Sequence, residues 1–382
     1  MAFDPWHYPR TDFSNDVHAA LHTDQVKGIR LFGPRRTGKT QFLLRDLARR
    51  AEQYGNRFAY VSFWQSNDPF ELMRYELDQS RTHDGRMTRM STWLNKSKKE
   101  AQIGVTAGPA TAAVTMTGAD PAVYVQKEQE LARIMDELKN NTTPLLLFLD
   151  EFQALASHPN GGDFLQKLYA LLDGRQRGIK AVFSGSSQIE LNRVFSTTGN
   201  APFGGFGTPV FLPELTDDFV TFQCKAFEDT YGRALPRDAA LDVFETFDKN
   251  PEIFRSWVVQ SGIMRHATPD EVVEHIFTDF DNQFGFTDVF AQTRAKNAKT
   301  RLRRQVFLRI LAEKTLQPTG DAGLARFSEI TGAPPPTKDQ LKSVMKDLKR
   351  SGLVDQEDGR NVIADPIFAR WINRLPLSQF RR

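Results

Sequence analysis

A chain of 382 residues has room for two or three domains, because a single hydrophobic core stops growing at about 250–300 residues. With 40% hydrophobic and 25% charged residues it is neither a disordered nor a fibrous chain, and its one cysteine, Cys224, excludes an intrachain disulfide framework. The formal net charge of +3 is too small to mark a nucleic-acid binder by itself.

The first residues, MAFDPWHYPR, carry an acid and two prolines where a secretory signal needs a basic start and an apolar stretch. No apolar run approaches the ~18 residues of a membrane span. The expectation is a cytoplasmic protein with no membrane partner. Next, GIRLFGPRRTGKTQFLLRDLARRAEQYG opens with the apolar run Ile29 to Phe32 and continues with Phe42, Leu43, Leu47 and Ala51 at helical spacing, which predicts strand, loop, helix. RFAYVSFW, Arg57 to Trp64, predicts a second strand, and after QSNDP the segment FELMRYELDQ predicts a helix that Asp68, before Pro69, would start. Residues 80 to 123 break the rhythm, and the small and β-branched residues around a Gly-Pro pair predict an inserted hairpin at about 100–120. A helix over Val125 to Lys139 leads to PLLLFLDEF, whose continuous apolar run suits a strand buried on both faces. GIKAVFSGSS repeats that logic with Ala181, Val182 and Phe183. Strands separated by helices, with polar residues at their C-terminal ends, predict an α/β fold with a doubly wound parallel sheet.

From about Thr216 helical patterns take over, in TDDFVTFQCKAFEDTYG, LPRDAALDVFETFDKN and PEIFRSWVVQSG. The last stretch predicts helices at about 301–314, 323–331 and Lys338 to Arg350, the third with Leu341, Val344, Met345 and Leu348 facing inward, and then two short strands around Asp358-Gly359. That is the order of a winged helix-turn-helix. The expected domains are a core over 1–215, a helical lid over 216–292 and a winged helix over 293–382.

The pattern G-x-x-x-x-G-K-[ST] in GPRRTGKT arises by chance in about one chain in a hundred of this length, so its context decides. Here it follows a predicted strand and opens a helix. Dense phosphate charge demands donors without bulk: Gly33 and Gly38 let backbone N–H groups converge, and the helix beginning near Lys39 aims its positive end at the same point. Lys39 would bridge the β- and γ-phosphates of ATP, and Thr40 would offer its hydroxyl to Mg²⁺. The nucleotide-contact candidates are therefore Gly33, Pro34, Arg35, Arg36, Thr37, Gly38, Lys39, Thr40 and Gln41. Asp150 and Glu151 close the buried apolar run, where Asp150 suits the metal shell and Glu151 the attacking water. Taken alone, an Asp-Glu pair after a strand is an ordinary helix start. Ser184 or Ser186 could sense the γ-phosphate or the water, or form a plain Ser/Gly loop; Arg193 follows them at a useful distance for the developing charge. Arg35 and Arg36 sit in the loop but could equally face solvent or a neighbouring subunit.

Together GPRRTGKT, LLLFLDEF, VFSGSSQIELNRVF with APFGG and VFLPEL, and NPEIFRSWV ahead of a winged helix resemble the archaeal-type ATPase family of the STAND branch of P-loop NTPases, related to AAA+ proteins. The resemblance runs from about residue 25 to 375. It implies that Lys39, Thr40, Asp150 and Glu151 bind Mg-ATP and hydrolyse it, and that Pro251 begins a lid helix near the nucleotide. The sequence departs from the family at PFGGFG, Pro202 to Gly207, where an arginine usually follows, and at FDPWHYPR, which stands in place of the usual R-E-x-E-L.

Two functions compete: an ATP-driven switch that controls a protein partner or self-assembly through its winged helix, and a DNA-acting ATPase of the loader or transposition-helper kind. A scaffold that binds nucleotide without turnover is a third. The DNA candidates are Lys338, Lys342, Lys346 and Lys349, which share one helical stripe diluted by Asp339 and Asp347, and the segment 293–309, with seven Lys/Arg and no acid. A solvated basic face on a protein-binding module accounts for that stripe equally well. The seven histidines are scattered and offer no metal constellation.

Overall fold

The computed structural model describes residues 4–64, 68–82, 121–140, 144–173, 178–185, 188–196, 203–291, 298–357 and 359–380. The inserted hairpin expected at about 100–120, Ser186, and residues 293–297 of the basic segment lie outside the described residues. The chain divides into two compact units, residues 1–34 with 38–213, and residues 35–37 with 214–382.

In the first unit, five strands form one parallel sheet: β1 (Gly28–Phe32), β2 (Arg57–Ser62), β3 (Leu145–Asp150), β4 (Ile179–Ser184) and β5 (Thr208–Phe211), in the order β2-β3-β4-β1-β5. The central strand β3 is buried at every position, so it has no polar face and reads as a continuous apolar run. Its side chains still alternate. Leu145, Leu147 and Leu149 pack into one layer with Phe70, Met73, Leu131, Met135 and Phe164, while Leu146 and Phe148 pack into the other with Leu31, Phe42, Leu43 and Leu47. Helices cover both faces: Thr11–Leu21 and Ala48–Gln53 belong to the second layer, Pro69–Thr82, Pro121–Lys139 and Gly161–Asp173 to the first. Asp68 accepts from the amides of Phe70 and Glu71, and so starts its helix as expected.

Three features of this unit escaped the sequence pattern. The helix after the glycine loop begins as Lys39–Gln41, widens to a π-helical stretch at Phe42–Leu47, and buries Phe42, Leu43, Leu44, Asp46 and Leu47 there. Strand β5 has mostly exposed residues, because it pairs with β1 at the sheet edge, so it lacks an apolar signature. The described part of PFGGFG, residues 203–207, is a packing device: Phe203 and Phe206 join Phe152, Phe183 and Phe195 in one aromatic cluster, and Gly205 and Gly207 take positive φ to turn the chain into β5.

The second unit holds helices Asp217–Tyr231, Arg237–Thr246, Pro251–Ile263, Pro269–Phe284, Phe286–Ala291, Ala298–Ala312, Asp321–Thr331 and Lys338–Arg350, an antiparallel hairpin β6 (Val354–Glu357) with β7 (Arg360–Ile363), and a helix Pro366–Arg374. Thr268 with Glu271 and Thr337 with Gln340 form capping boxes, and Leu341, Val344 and Leu348 are buried as the spacing predicts, whereas Met345 is half-buried. The unpredicted helix Pro366–Arg374 holds the unit together: Arg370 pairs with Asp248, Arg374 with Glu274, and Phe368 and Trp371 pack at a tilt against Phe286. Asn250, 3% exposed, caps Pro251–Ile263 by accepting from the amides of Glu252 and Ile253 at 3.1 and 3.2 Å. Asn250→Ala leaves the buried Ile253 amide and the half-buried Glu252 amide without that acceptor, and we expect it to cost about 1–2 kcal/mol in urea unfolding with an unchanged slope. Cys224 is half-buried, and burial pushes its thiol above the ordinary range, as for an inert thiol.

Candidate nucleotide site

The C-terminal ends of β1, β3 and β4 supply the candidate site. Gly38, at φ +93°, and Arg36, at φ +64°, bend the loop after β1 so that Lys39 opens the helix behind it. A Cβ on Gly38 would meet no protein atom, so it is the backbone turn that demands glycine there. The Lys39 side chain folds back into the loop and Nζ donates to the carbonyls of Gly33 at 2.7 Å and Pro34 at 2.6 Å, leaving the residue 6% exposed.

Asp150 is the hub. Although β4 lies between β1 and β3, the Thr40 hydroxyl donates to Asp150 Oδ2 at 2.6 Å. Tyr60, on β2, donates to the same oxygen at 2.8 Å, while Ser184 and the Glu151 amide, the latter at 3.0 Å, donate to Oδ1. Four donors satisfy this buried carboxylate and aim it. Burial and then the Asp150 charge push the Tyr60 phenol well above its ordinary range, so it remains a donor. Glu151 sits in the left-handed region at φ +51°, a rare place for a side-chain-bearing residue, and its carboxylate accepts from Gln153 Nε2. Gln153 follows Glu151 at the start of the 3-10 stretch Phe152–Ser157.

The structure thus brings Lys39, Thr40, Asp150, Glu151 and Ser184 into one unit. Ser184 is fully buried and spends its hydroxyl on Asp150. Arg193 is exposed on the helix Gln188–Val194. Pro34 is exposed, and Gly33, Arg35, Thr37, Gly38 and Gln41 are half-buried. Arg35–Thr37 belong to the second unit, where Arg36 pairs with Glu252 at 2.6 Å and Asp365 at 3.3 Å and lies over the Phe284 ring. Burial opposes its charge, but Glu252 and Asp365 outweigh that and raise its pKa. Pro251 is in that unit too, at the first turn of its Asn250-capped helix.

Sequence reasoning missed Tyr60 and Gln153. The tyrosine sat in a run whose aromatics signalled only a strand; the glutamine lay inside a helix start. Among the described residues no three His, Cys, Asp or Glu side chains cluster to hold a metal. No described helix is long and apolar enough to cross a membrane.

The loop, the sheet order and the helices on both faces define an α/β P-loop NTPase fold followed by a helical region. Among solved structures the chain is similar to a Walker-type ATPase of Pyrococcus abyssi, with 16% identity, coverage of 95% of this chain and 95% of that chain, and a TM-score of 0.57. It is also similar to the ADP form of the ORC2 protein of Aeropyrum pernix, with 15% identity, coverage of 96% and 90%, and a TM-score of 0.48. The Aeropyrum pernix ORC1 protein in complex with DNA matches at 14% identity, coverage of 96% and 90%, and a TM-score of 0.44. No family model matches the sequence, and no curated protein does.

Proposed function

We propose that this chain binds Mg-ATP at Gly33–Thr40, hydrolyses it, and uses the nucleotide state as a switch on a partner held by its C-terminal helices and hairpin. The observation that carries the reading is the Thr40 hydroxyl bonded to Asp150 at 2.6 Å beside a lysine whose ammonium is curled onto its own loop. The donor set fits the group: an ammonium, a hydroxyl, loop amides and one aimed carboxylate suit a triphosphate with its magnesium. Bound Mg²⁺ supplies charge neutralisation across the β- and γ-phosphates. Lys39 exchanges its loop carbonyls for phosphate oxygens, Thr40 and Asp150 hold the cation, and Ser184 and Tyr60 keep Asp150 from turning. Glu151 orients water and takes its proton. The Walker-type ATPase of Pyrococcus abyssi, which shares the fold, agrees with this chemistry.

The order of three helices and a hairpin in residues 298–363 supports a winged helix, and with it the STAND assignment. A second reading, a DNA-loading ATPase, is favoured by one observation: among the described residues no ion pair engages Lys346, Lys349 or Arg350 on the helix Lys338–Arg350. Lys338 and Lys342 are instead paired with Asp321 and Asp339. The expected contribution of the segment 293–309 to DNA is smaller than its charge suggests. Arg304 pairs with Asp347, and Arg309, 9% exposed, is consumed by Ile372 O and Asn373.

Hydrolysis with and without duplex DNA, together with particle size in ATP and ADP, separates the readings. A switch hydrolyses ATP at the same rate with and without duplex. A loader is stimulated and assembles, its DNA affinity falls steeply between about 50 and 200 mM salt, and Lys342→Glu with Lys346→Glu weakens it further.

A further inference from the structure

The geometry points to Gln153 as the positioning residue that sets the Glu151 carboxylate for hydrolysis, with Gly185 providing the space its amide occupies. This inference rests on the ATPase reading and names a part of that site which no motif assigns. Gln153 is 4% exposed, and a buried amide needs a reason to be there. Its Nε2 donates to Glu151 Oε2 at 2.5 Å. On its other side, a Cβ built on Gly185 would lie 2.2 Å from Gln153 Oε1 and 3.1 Å from its Cδ, so any larger residue there collides with the amide. Gly185 directly follows Ser184, whose hydroxyl holds Asp150.

The two carboxylates of the site are thus held in different ways. Asp150 is fixed by four donors, from two strands, the helix after β1 and its own neighbour. Glu151 projects from a left-handed backbone on a side chain with three rotatable bonds. A carboxylate that can swing is a poor base, because proton abstraction requires the acceptor within hydrogen-bond reach of the water. The Gln153 amide selects one rotamer. Its bond to Oε2 costs no proton and no charge, so it orients Glu151 without neutralising it, as a lysine would. Gly185 ties that orientation to the end of β4.

The test uses the full chain and separates binding from turnover. Gln153→Leu keeps most of the bulk, one atom shorter, and removes the donor, and Gly185→Ala pushes the amide aside while leaving both Gln153 and Glu151 in the sequence. Both variants are expected to lose about tenfold or more in single-turnover ATP hydrolysis, as removal of an orienting partner usually does, while ATP affinity by fluorescent-nucleotide titration and KM stay within about twofold. In a Glu151→Gln background, Gln153→Leu is expected to change the residual rate by less than about twofold, since it acts only through the carboxylate. A hydrolysis rate within about twofold of wild type in both variants overturns the assignment. So does a loss that persists undiminished in the Glu151→Gln background, or one matched by an equal rise in KM and a fallen melting temperature, which marks a packing residue. Equal hydrolysis by wild type and Glu151→Gln removes the ATPase reading itself, and Gln153 falls with it; a dead Glu151→Gln beside fully active Gln153→Leu and Gly185→Ala removes Gln153 alone.

Discussion

Lys39→Ala is expected to lose ATP binding by at least about 100-fold, a penalty of about 2.7 kcal/mol, in calorimetric titration with Mg²⁺ present. The magnitude follows from what the side chain does. An ammonium bonded to phosphate oxygens makes charge-assisted contacts of about twice the strength of neutral ones, and it is the one side-chain cation that the folded loop holds inside itself. Its bonds to the carbonyls of Gly33 and Pro34 give way when phosphate arrives, so contacts to uncharged carbonyl oxygens are replaced by contacts between opposite charges. Alanine also suits the first turn of a helix, and its fold should persist, which circular dichroism checks. Undiminished affinity in a folded Lys39→Ala protein rules out the phosphate role of the loop.

Glu151→Gln is expected to bind ATP as wild type does and to hydrolyse it about 10²–10⁴-fold more slowly, the range over which a general base usually contributes. The substitution preserves length and shape, and an amide still pairs with Gln153 after reorientation, so binding has no reason to change. Basicity alone is lost. Single-turnover hydrolysis of saturating ATP reads this directly, and a variant that turns over at the wild-type rate takes Glu151 out of the chemistry. The pair of variants also tests the division of labour at the adjacent carboxylates, because Asp150 is held by Thr40, Tyr60, Ser184 and the Glu151 amide and Glu151 is not.

Much of this arrangement was legible in the residues. Apolar runs at Ile29 to Phe32, Leu145 to Leu149 and Ala181 to Phe183 marked three strands, because a strand buried on both faces must be apolar at consecutive positions. Asp68 marked a helix start through its ability to accept orphan amides. The edge strand Thr208–Phe211 was invisible for the converse reason: its exposed side chains obey no burial pattern, and only pairing with β1 makes it a strand. The segment 293–309 counted as a basic run with no acid, yet helical geometry turns Arg304 toward Asp347 and Arg309 toward the helix Pro366–Arg374.

By itself the sequence determined the local chemistry: a glycine loop between strand and helix, a lysine and hydroxyl at its end, two carboxylates closing a buried strand. All of these depend on residues close together in the chain, where spacing is geometry. Tertiary structure alone decided that Tyr60, Thr40 and Ser184, from β2, the helix after β1, and β4, converge on Asp150, and that Gln153 lies between Glu151 and Gly185. Periodicity records which face of a strand is buried but not which strand lies beside it, and that neighbour is chosen by crossovers and packing spread over more than a hundred residues.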